Sequence, residues 1–402
     1  MPEQALSHFK VLELCNFVSG PYCTKLLADL GAEVIKIEPP GVGDEARRRC
    51  PFLNDIPHPE RSGLFLYLNT NKLGITLDVN TSAGRTILKQ LIGQTDIFIE
   101  DNPRKFMQKL GLAYKDLKKI NPRLVMTSIT PFGHTGPYKD YRAHEINLYH
   151  AGGEGYLLPA HSADLSREPV KGGGLVGDCM CGLSASLATL SAAYSVGQNG
   201  TGQHIDVSKQ DVLMTMVNLE ISMFANLGLM RNRLHRPILL PIPMPCQDGY
   251  IMISILTDRE WQDFVKFIGN PAWAQDERFR SWLQRHLCAD DINPHVREWL
   301  RQYNKQEVFH GLQEKAIVAA PVNTAEDMAK CPQMESRGFF AEIEHPEAGK
   351  LKYPTAAYKF SETPWGAQRT APLLGQHNEF VYCGRLGYNK QDLVTMKESG
   401  VI

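Results

Sequence analysis

Short apolar runs alternate with helical patterns through the first half of the chain. The runs are Phe9–Leu14, Glu33–Glu38, Gly74–Asp78, Asp96–Glu100 and Leu124–Ile129. Because strands that are separated by helices pair side by side in the same direction, this alternation predicts a mostly parallel sheet that is covered on both faces. Ligands bind outside the carboxyl ends of such strands. The loops after Leu14, Glu38, Glu100 and Ile129 are therefore the candidate binding rim.

The first forty residues predict a strand, a helix and a second strand. The helix is expected over Tyr22–Leu30, with Pro21 at its first position and Gly31 as its stop. A dinucleotide fold would carry GxGxxG at the preceding turn, where this chain has Ser19-Gly20-Pro21. The missing glycines argue against NAD as a cofactor.

The stretch Gly177–Gly182 (GDCMCG) places one carboxylate, Asp178, between glycines. It directly precedes a small-residue helix that the pattern predicts from about Leu183 to Val196. A carboxylate at a helix N-terminus is stabilised by free N–H groups and by the helix dipole. Asp178 is thus either an ordinary N-cap or a positioned nucleophile, and the residues alone leave both interpretations open.

The pattern predicts further helices beyond the first strands. They are Thr81–Gly93 with Ser82 as the cap, and one long amphipathic helix over Asp211–Asn226. Residues 234–245 contain four prolines and are expected to form an extended connector. A strand at Tyr250–Ile255 and a capping box at Thr257–Glu260 then indicate a smaller α+β domain, 228–325. A hairpin over 339–360 and a helix near 390–399 follow.

Composition narrows the possible partners. The chain has 402 residues, 43 basic and 44 acidic side chains and a net charge of −1, which argues against nucleic acid or a membrane as a partner. We expect no apolar run to reach the length of a membrane span, and the N-terminus lacks the pattern of a signal peptide. Nine irregularly spaced cysteines indicate reduced thiols in a cytoplasmic protein, and their spacing predicts no metal site.

Seven motifs in order along the chain resemble those of the class III CoA-transferases, the CaiB/BaiF superfamily. They are Val11–Arg47, Asn69–Asp78, Asp96–Asn102, Ser128–Tyr138, Leu175–Tyr194, Gly200–Val207 and Ala371–His377. The resemblance implies an interlocked homodimer whose chains each have a Rossmann-like large domain and a small domain. The large domain would comprise 1–227 and a C-terminal return over 326–402.

By this resemblance Asp178 is the catalytic nucleophile. It would attack the thioester of an acyl-CoA to give a mixed anhydride, which CoA thiolate would convert to an aspartyl-CoA thioester. The acceptor carboxylate would then attack that thioester. The substrates would be an acyl-CoA and a carboxylic acid, with no permanently bound cofactor. Backbone N–H groups near Gly177 and Gly182 are candidate oxyanion donors.

The resemblance also maps CoA contacts onto this chain. They are Phe17, Val18, Asn71, Lys72, Asp101 and Asn102, with Lys109 at a position where the family has a phosphate-binding arginine, and with Arg104 and Arg47 as further phosphate partners. Formyl-CoA transferase-like members place glutamine at the position of Val18 and carry a glycine-rich lid that is missing here. These departures argue against oxalate as the acceptor.

Two alternatives remain open at this stage. The stretch Ala143–Asn147 (AHEIN) is similar to one in α-methylacyl-CoA racemases, in which His144 and Asp178 would be the two catalytic bases. Against it, the racemases' supporting glutamate falls near Thr257 here, and Thr257–Trp261 resembles the transferases instead. The other alternative is a CoA-binding protein without catalysis, which the intact Gly177-Asp178 pair opposes.

Overall fold

A six-stranded parallel sheet organises the larger part of the chain. The computed structural model describes residues 4–160, 165–234, 242–366 and 369–402. The strands are β1 (Lys10–Leu14), β2 (Glu33–Glu38), β3 (Lys72–Thr76), β4 (Ile97–Glu100), β5 (Val125–Thr130) and β6 (His204–Ser208). Their order is β3-β2-β1-β4-β5-β6, and every neighbouring pair is parallel. This confirms the predicted α/β class, and the order reverses between β1 and β4.

Nine α-helices accompany these strands in the described residues. They are α1 (Ser19–Ala28), α2 (Gly63–Leu68), α3 (Ser82–Ile92), α4 (Arg104–Lys109), α5 (Tyr114–Leu117), α6 (Glu145–Ala151), α7 (Val176–Asn199), α8 (Lys209–Met216) and α9 (Asn218–Leu227). Neighbouring residues of a strand point to opposite faces of the sheet, and the strands are apolar at successive positions. Apolar side chains therefore cover both faces. In β1, Leu12 joins one apolar cluster and Val11 joins the other.

Four local predictions in this part are wrong. Helix α1 begins at Ser19, so Pro21 is its third residue and not its first. The long helix α7 begins at Val176, so Asp178 lies inside its first turn and does not cap it. The cap of α3 is Thr81, whose hydroxyl accepts from the Gly84 N–H, and Ser82 is already helical. The helix predicted over 211–226 is two helices that meet at Val217.

A second unit has its own antiparallel sheet and apolar core. Its strands are β7 (Pro243–Cys246), β8 (Gly249–Ser254) and β9 (Val318–Pro321), in the order β7-β8-β9. Its helices are α10 (Asp258–Phe267), α11 (Trp282–Leu287), α12 (Ala289–Leu300), α13 (Lys305–Glu314), α14 (Ala325–Ala329) and α15 (Pro332–Ser336). The predicted capping box is present, with Thr257 and Glu260 bonded reciprocally at the start of α10.

The remaining C-terminal elements belong with the large unit. They are the antiparallel hairpin β10 (Phe340–His345) and β11 (Gly349–Pro354), followed by α16 (Asn378–Tyr382) and α17 (Lys390–Glu398). The phenol of Tyr382 donates to the Thr76 carbonyl at 2.6 Å, and Val401 and Ile402 join the core beside β3.

The chain divides after residues 233 and 337. The large unit comprises 1–159, 167–233 and 338–402, and the small unit comprises 160–166 and 234–337. The predicted boundaries at 227/228 and 325/326 both lie earlier in the chain. Of the predicted connector 234–245, residues 235–241 lie outside the described residues, and Pro243–Cys246 forms β7.

Helix α7 corrects one expectation from composition. By length and composition alone it could cross a membrane, with a mean hydropathy of 1.3 over its most apolar window, so the sequence does contain one run of that length. Core helices of globular proteins have the same character, and α7 packs against α1 and β5. All nine cysteines are free thiols.

Candidate active site

The loops after β1 and β4 meet where the strand order reverses. The Asn102 side-chain amide donates to the Leu14 carbonyl at 2.9 Å, and the Asn16 N–H donates to both Asp101 carboxylate oxygens at 3.0 Å. These bonds join the carboxyl ends of two adjacent strands. The crevice that opens there is where parallel α/β sheets bind ligands.

Helix α7 reaches this crevice because it packs closely on α1. A Cβ atom at Gly182 would lie 2.6 Å from the Ser19 carbonyl oxygen and 3.1 Å from the Cys23 nitrogen, so only glycine permits this approach. The close packing brings the first turn of α7, which contains Asp178, beside the first residue of α1, Ser19.

The Asp178 carboxylate is buried and held by two donors. Its side chain is 3% exposed. One oxygen, Oδ1, accepts from the Ser19 hydroxyl at 2.7 Å and from the Lys209 ammonium at 2.9 Å. Two hydrogen bonds to the same oxygen hold the carboxylate in one orientation.

Lys209 reaches Asp178 from the end of another strand. It directly follows β6 and is the first residue of α8, and its side chain is 18% exposed. Burial lowers the pKa of Lys209, but the Asp178 and Asp101 carboxylates offset this and raise that pKa above its ordinary value. The ammonium is therefore charged at neutral pH.

Glu145 contacts the start of α7. It begins α6, and its carboxylate accepts from the Gly177 N–H at 3.2 Å and from the Lys171 ammonium at 3.2 Å. An acidic group at a helix N-terminus is favoured by the helix dipole. This bond occupies the Gly177 N–H, and Gly182 lies inside α7, where the helix uses its own N–H groups. The two predicted oxyanion donors therefore have other partners.

Two carboxyl groups at the crevice have raised pKa values. Burial is the main cause for both. It raises the pKa of Asp101 to about 8 and that of Glu100 to about 7, although both carboxylates accept hydrogen bonds that lower the pKa. Acids with perturbed pKa values cluster at functional sites. No group of three or more His, Cys, Asp or Glu side chains could hold a metal ion within the described ranges.

The sequence matches the family model named CoA-transferase family III over residues 6–378. This chain belongs to that family. The match spans both units and includes Asp178, Ser19 and Lys209. The protein is a class III CoA-transferase.

Curated relatives and solved structures agree with this assignment. Succinyl-CoA–D-citramalate CoA-transferase of Chloroflexus aurantiacus is 29% identical and covers 100% of this chain and 99% of its own length. Succinate–glutarate CoA-transferase of Agrobacterium fabrum is 28% identical over 94% of each chain. A crystal structure of a CaiB/BaiF family protein from Brucella suis superposes with a TM-score of 0.85 at 28% identity, over 95% of this chain and 99% of that one.

Several of the predicted CoA contacts of this transferase lie at the crevice. Phe17 and Val18 follow β1, and Asp101 and Asn102 follow β4. The Phe17 backbone has a φ of 70°, which is uncommon outside glycine and holds the loop in a tight turn.

The two predicted cations of α4 differ in their partners. Arg104, at the first position of α4, pairs with Asp140 at 3.3 Å and lines a cleft with Glu100 and His134. Lys109 is exposed at the last position of the same helix.

Three other predicted contacts lie elsewhere in the large unit. Asn71 and Lys72 stand at the amino end of β3, opposite the edge that carries Asp101, because the strands are parallel. The Lys72 ammonium is buried against the Glu13 carboxylate at 2.9 Å. The Arg47 guanidinium is buried between Glu38 and Glu60. Both cations are already paired with buried carboxylates. This placement therefore does not support phosphate contacts by Arg47 or Lys72.

The candidate racemase base His144 is exposed at the start of α6. Its backbone N–H donates to the Asn147 side chain at 3.0 Å. The neighbouring Glu145 accepts a hydrogen bond from the Gly177 N–H at the start of α7.

Sequence reasoning missed Ser19, Lys209 and Glu145 as site residues. A usable signal existed for Lys209, since it directly follows the carboxyl end of a parallel strand, the edge where ligands bind. Ser19 was part of the rim loop after β1. Glu145 gave no signal, because its contact with Gly177 depends on how α6 packs beside α7.

Proposed function

We propose that this transferase moves CoA from an acyl-CoA thioester to a carboxylic acid with Asp178 as the covalent nucleophile. The observation that carries the proposal is the placement of Asp178. It is a buried carboxylate in the first turn of α7, bonded to Ser19 and Lys209 beside the crevice of the sheet. A carboxylate held in one geometry reacts as though its partner were at high effective concentration.

The reaction proceeds through two kinds of enzyme adduct. The Asp178 carboxylate attacks the thioester carbonyl, the carbon–sulfur bond breaks, and CoA thiolate leaves a mixed anhydride. The thiolate then attacks the aspartyl carbonyl and releases the donor acid, which forms the enzyme-CoA thioester. The acceptor carboxylate repeats these steps in reverse and leaves as its CoA thioester. Burial of Asp178 keeps water from these activated carbonyls.

The CoA moiety is proposed to lie along the loops after β1 and β4. Phe17, Val18, Asp101, Asn102 and Arg104 stand there, and Arg104 supplies a cation suited to a phosphate. The parallel sheet supports this site because its carboxyl edge is open at the reversal of strand order.

Short dicarboxylic acids are the proposed substrate class. The names of the two curated relatives specify succinate, glutarate and D-citramalate, all of which carry two carboxylates. A panel of succinyl-, glutaryl-, acetyl- and formyl-CoA with the corresponding acids would test this. Higher kcat/KM for the dicarboxylic members supports the proposal, and preference for acetyl- or formyl-CoA contradicts it.

The test of the nucleophile is an intact-mass measurement after incubation with acyl-CoA. We expect a CoA adduct that hydroxylamine removes, and that maps to the peptide containing Asp178. Asp178→Asn should abolish both the adduct and turnover. Asp211→Asn is the matched control, because Asp211 is also a first-turn carboxylate but is exposed on α8. Full activity in Asp178→Asn would eliminate Asp178 as the nucleophile.

Solvent exchange separates transfer from racemisation. A transferase leaves the α-hydrogens of the acyl group in place, whereas a racemase removes them. Incubation with a 2-methylacyl-CoA in D₂O, without an acceptor, should give no α-deuterium. Rapid deuterium incorporation that His144→Gln abolishes would overturn the transferase mechanism.

A homodimer is the proposed assembly. Helix α9 supports it, since none of its residues is buried in the single chain although it carries Leu219, Ile221, Phe224 and Leu227. Apolar side chains concentrated on one exposed helix are typical of a protein–protein interface.

A further inference from the structure

The two oxygens of the Asp178 carboxylate have different surroundings. Oδ1 accepts two hydrogen bonds, from the Ser19 hydroxyl at 2.7 Å and the Lys209 ammonium at 2.9 Å. Among the described residues, none donates a hydrogen bond to Oδ2. Oδ2, which accepts no hydrogen bond from any residue that the structure describes, keeps its lone pairs available for attack. The lone pairs of Oδ1 are engaged by its two hydrogen-bond donors.

We propose that Oδ2 forms the anhydride and that Lys209 and Ser19 form the oxyanion hole for attack on the aspartyl carbonyl. This inference rests on the proposed function and assigns the roles of two residues to particular steps. The donor distances of 2.7 and 2.9 Å fit an oxyanion hole, which requires donors about 2.7–3.1 Å from the oxygen that becomes charged.

The charges balance at each step. Attack through Oδ2 leaves Oδ1 as the carbonyl oxygen of the aspartyl anhydride, and the carboxylate charge leaves with CoA thiolate. When the thiolate sulfur adds to the Asp178 Cγ, the electron pair of the carbonyl bond moves onto Oδ1, beside the ammonium. Collapse re-forms that bond and breaks the Cγ–Oδ2 bond, so the donor acid departs as a carboxylate that contains Oδ2.

The full reaction contains four additions to a carbonyl carbon, and two of them place the negative charge on Oδ1. Addition of thiolate to the anhydride and addition of the acceptor carboxylate to the enzyme-CoA thioester both occur at Cγ. The first attack on acyl-CoA and the last attack of thiolate on the acceptor acyl group occur at substrate carbonyls. Lys209 and Ser19 therefore act on the formation and consumption of enzyme-CoA, and much less on the first acylation of Asp178.

Burial makes Lys209 suitable for this role. With 18% of its side chain exposed, its charge acts in a medium of lower permittivity than water, where a fixed cation stabilises an oxyanion more strongly. Its backbone is anchored where β6 passes into α8, and the buried Ser19 is anchored at the start of α1. Both donors thus stand on rigid elements and need no reorganisation during the reaction.

The experiment is a rapid-quench measurement of intact mass with succinyl-CoA and no acceptor. It separates the acyl adduct, the anhydride, from the CoA adduct. In the unmodified protein we expect the CoA adduct to dominate. In Lys209→Met the acyl adduct should accumulate, because its conversion to the CoA adduct should slow by about 10²–10³-fold, the usual loss for one oxyanion donor. Ser19→Ala should act in the same direction.

Two further variants serve as a rescue and a control. Lys209→Arg should restore part of the conversion rate because arginine keeps the positive charge. Lys119→Met removes a lysine that is 76% exposed and far from the site in sequence, and should leave the adduct ratio unchanged.

Each result has a distinct meaning. If Lys209→Met lowers both adducts in parallel, Lys209 only positions Asp178 and the oxyanion role is wrong. An unchanged adduct ratio in Lys209→Met likewise overturns this inference while the proposed function stands. If the unmodified protein forms neither adduct with any acyl-CoA of the panel, the proposed function fails, and this inference fails with it.

Discussion

The buried lysines show how far a residue's role depends on its neighbours. Lys36 and Lys72 both extend to Glu13, at 2.7 and 2.9 Å, and Lys36 also binds Asp44 at 2.7 Å. Their side chains are fully buried. Lys72 therefore neutralises a carboxylate in the core, although its sequence position resembles a CoA contact. Removing one partner of such a buried ion pair leaves the other charge uncompensated in the interior.

Replacing Glu13 should destabilise the large unit strongly. Glu13→Gln leaves Lys72 without its ion-pair partner in the interior, and breaking a buried pair costs roughly 3–5 kcal/mol. The measurement is the free energy of unfolding from urea denaturation. Glu379→Gln is the control, since its pair with Lys390 is exposed at 64% and 83% and should contribute nothing measurable.

The loss of stability in Glu13→Gln should also depend on pH. Burial alone would raise the pKa of Glu13, but Lys36 and Lys72 lower it from 4.5 to about 2. A lowered pKa in the folded state means that the stabilisation is complete above pH 4.5 and is lost as the pH falls toward 2. The difference between the wild type and Glu13→Gln should therefore shrink between pH 4.5 and 3. A constant difference over that range would refute the assignment.

At the scale of elements, the contact between α1 and α7 builds the site. Helix α1 provides Ser19 and α7 provides Asp178, and Gly182 permits their close approach. The helix propensity of the stretch from Val176 to Gly182 is modest because it contains two glycines. Tertiary packing and the Glu145 contact at Gly177 thus account for the start of α7 upstream of the predicted Leu183.

Gly182→Ala should separate these helices. The added methyl group would lie 2.6 Å from the Ser19 carbonyl oxygen, so α7 must shift and Asp178 with it. We expect a loss of about 1–3 kcal/mol in stability and about 10²-fold in kcat/KM. The control is Gly197→Ala in the same helix, where a Cβ meets nothing within 4 Å and stability should rise by about 0.5–1 kcal/mol. Equal effects of the two variants would argue against this role for Gly182.

At the scale of the whole molecule, the proposed homodimer predicts the mass in solution. Light scattering should give twice the 45.1 kDa of one chain. Phe224→Asp should weaken the association, because it places a charge among the apolar side chains of α9. Glu220→Asp on the same helix keeps the charge and serves as the control. A single-chain mass at micromolar concentration would contradict the proposed assembly.

The sequence alone determined the class of fold and the candidate nucleophile. Alternation of apolar strands and helices fixed the parallel sheet, because a strand that is buried on both faces must be apolar throughout. The capping box at Thr257 and the hairpin at 340–354 could also be predicted, since caps and turns depend on residues that are close in sequence.

The tertiary structure alone decided the surroundings of Asp178. Ser19 lies 159 positions before it and Lys209 lies 31 positions after it. These three residues meet because of the order of the strands and because Gly182 lets α7 pack closely on α1. It also separated buried cations such as Arg47 and Lys72 from those that face the crevice. Local patterns record secondary structure, whereas the partner of a charge is set by packing between distant segments, and that packing determines what Asp178 can do.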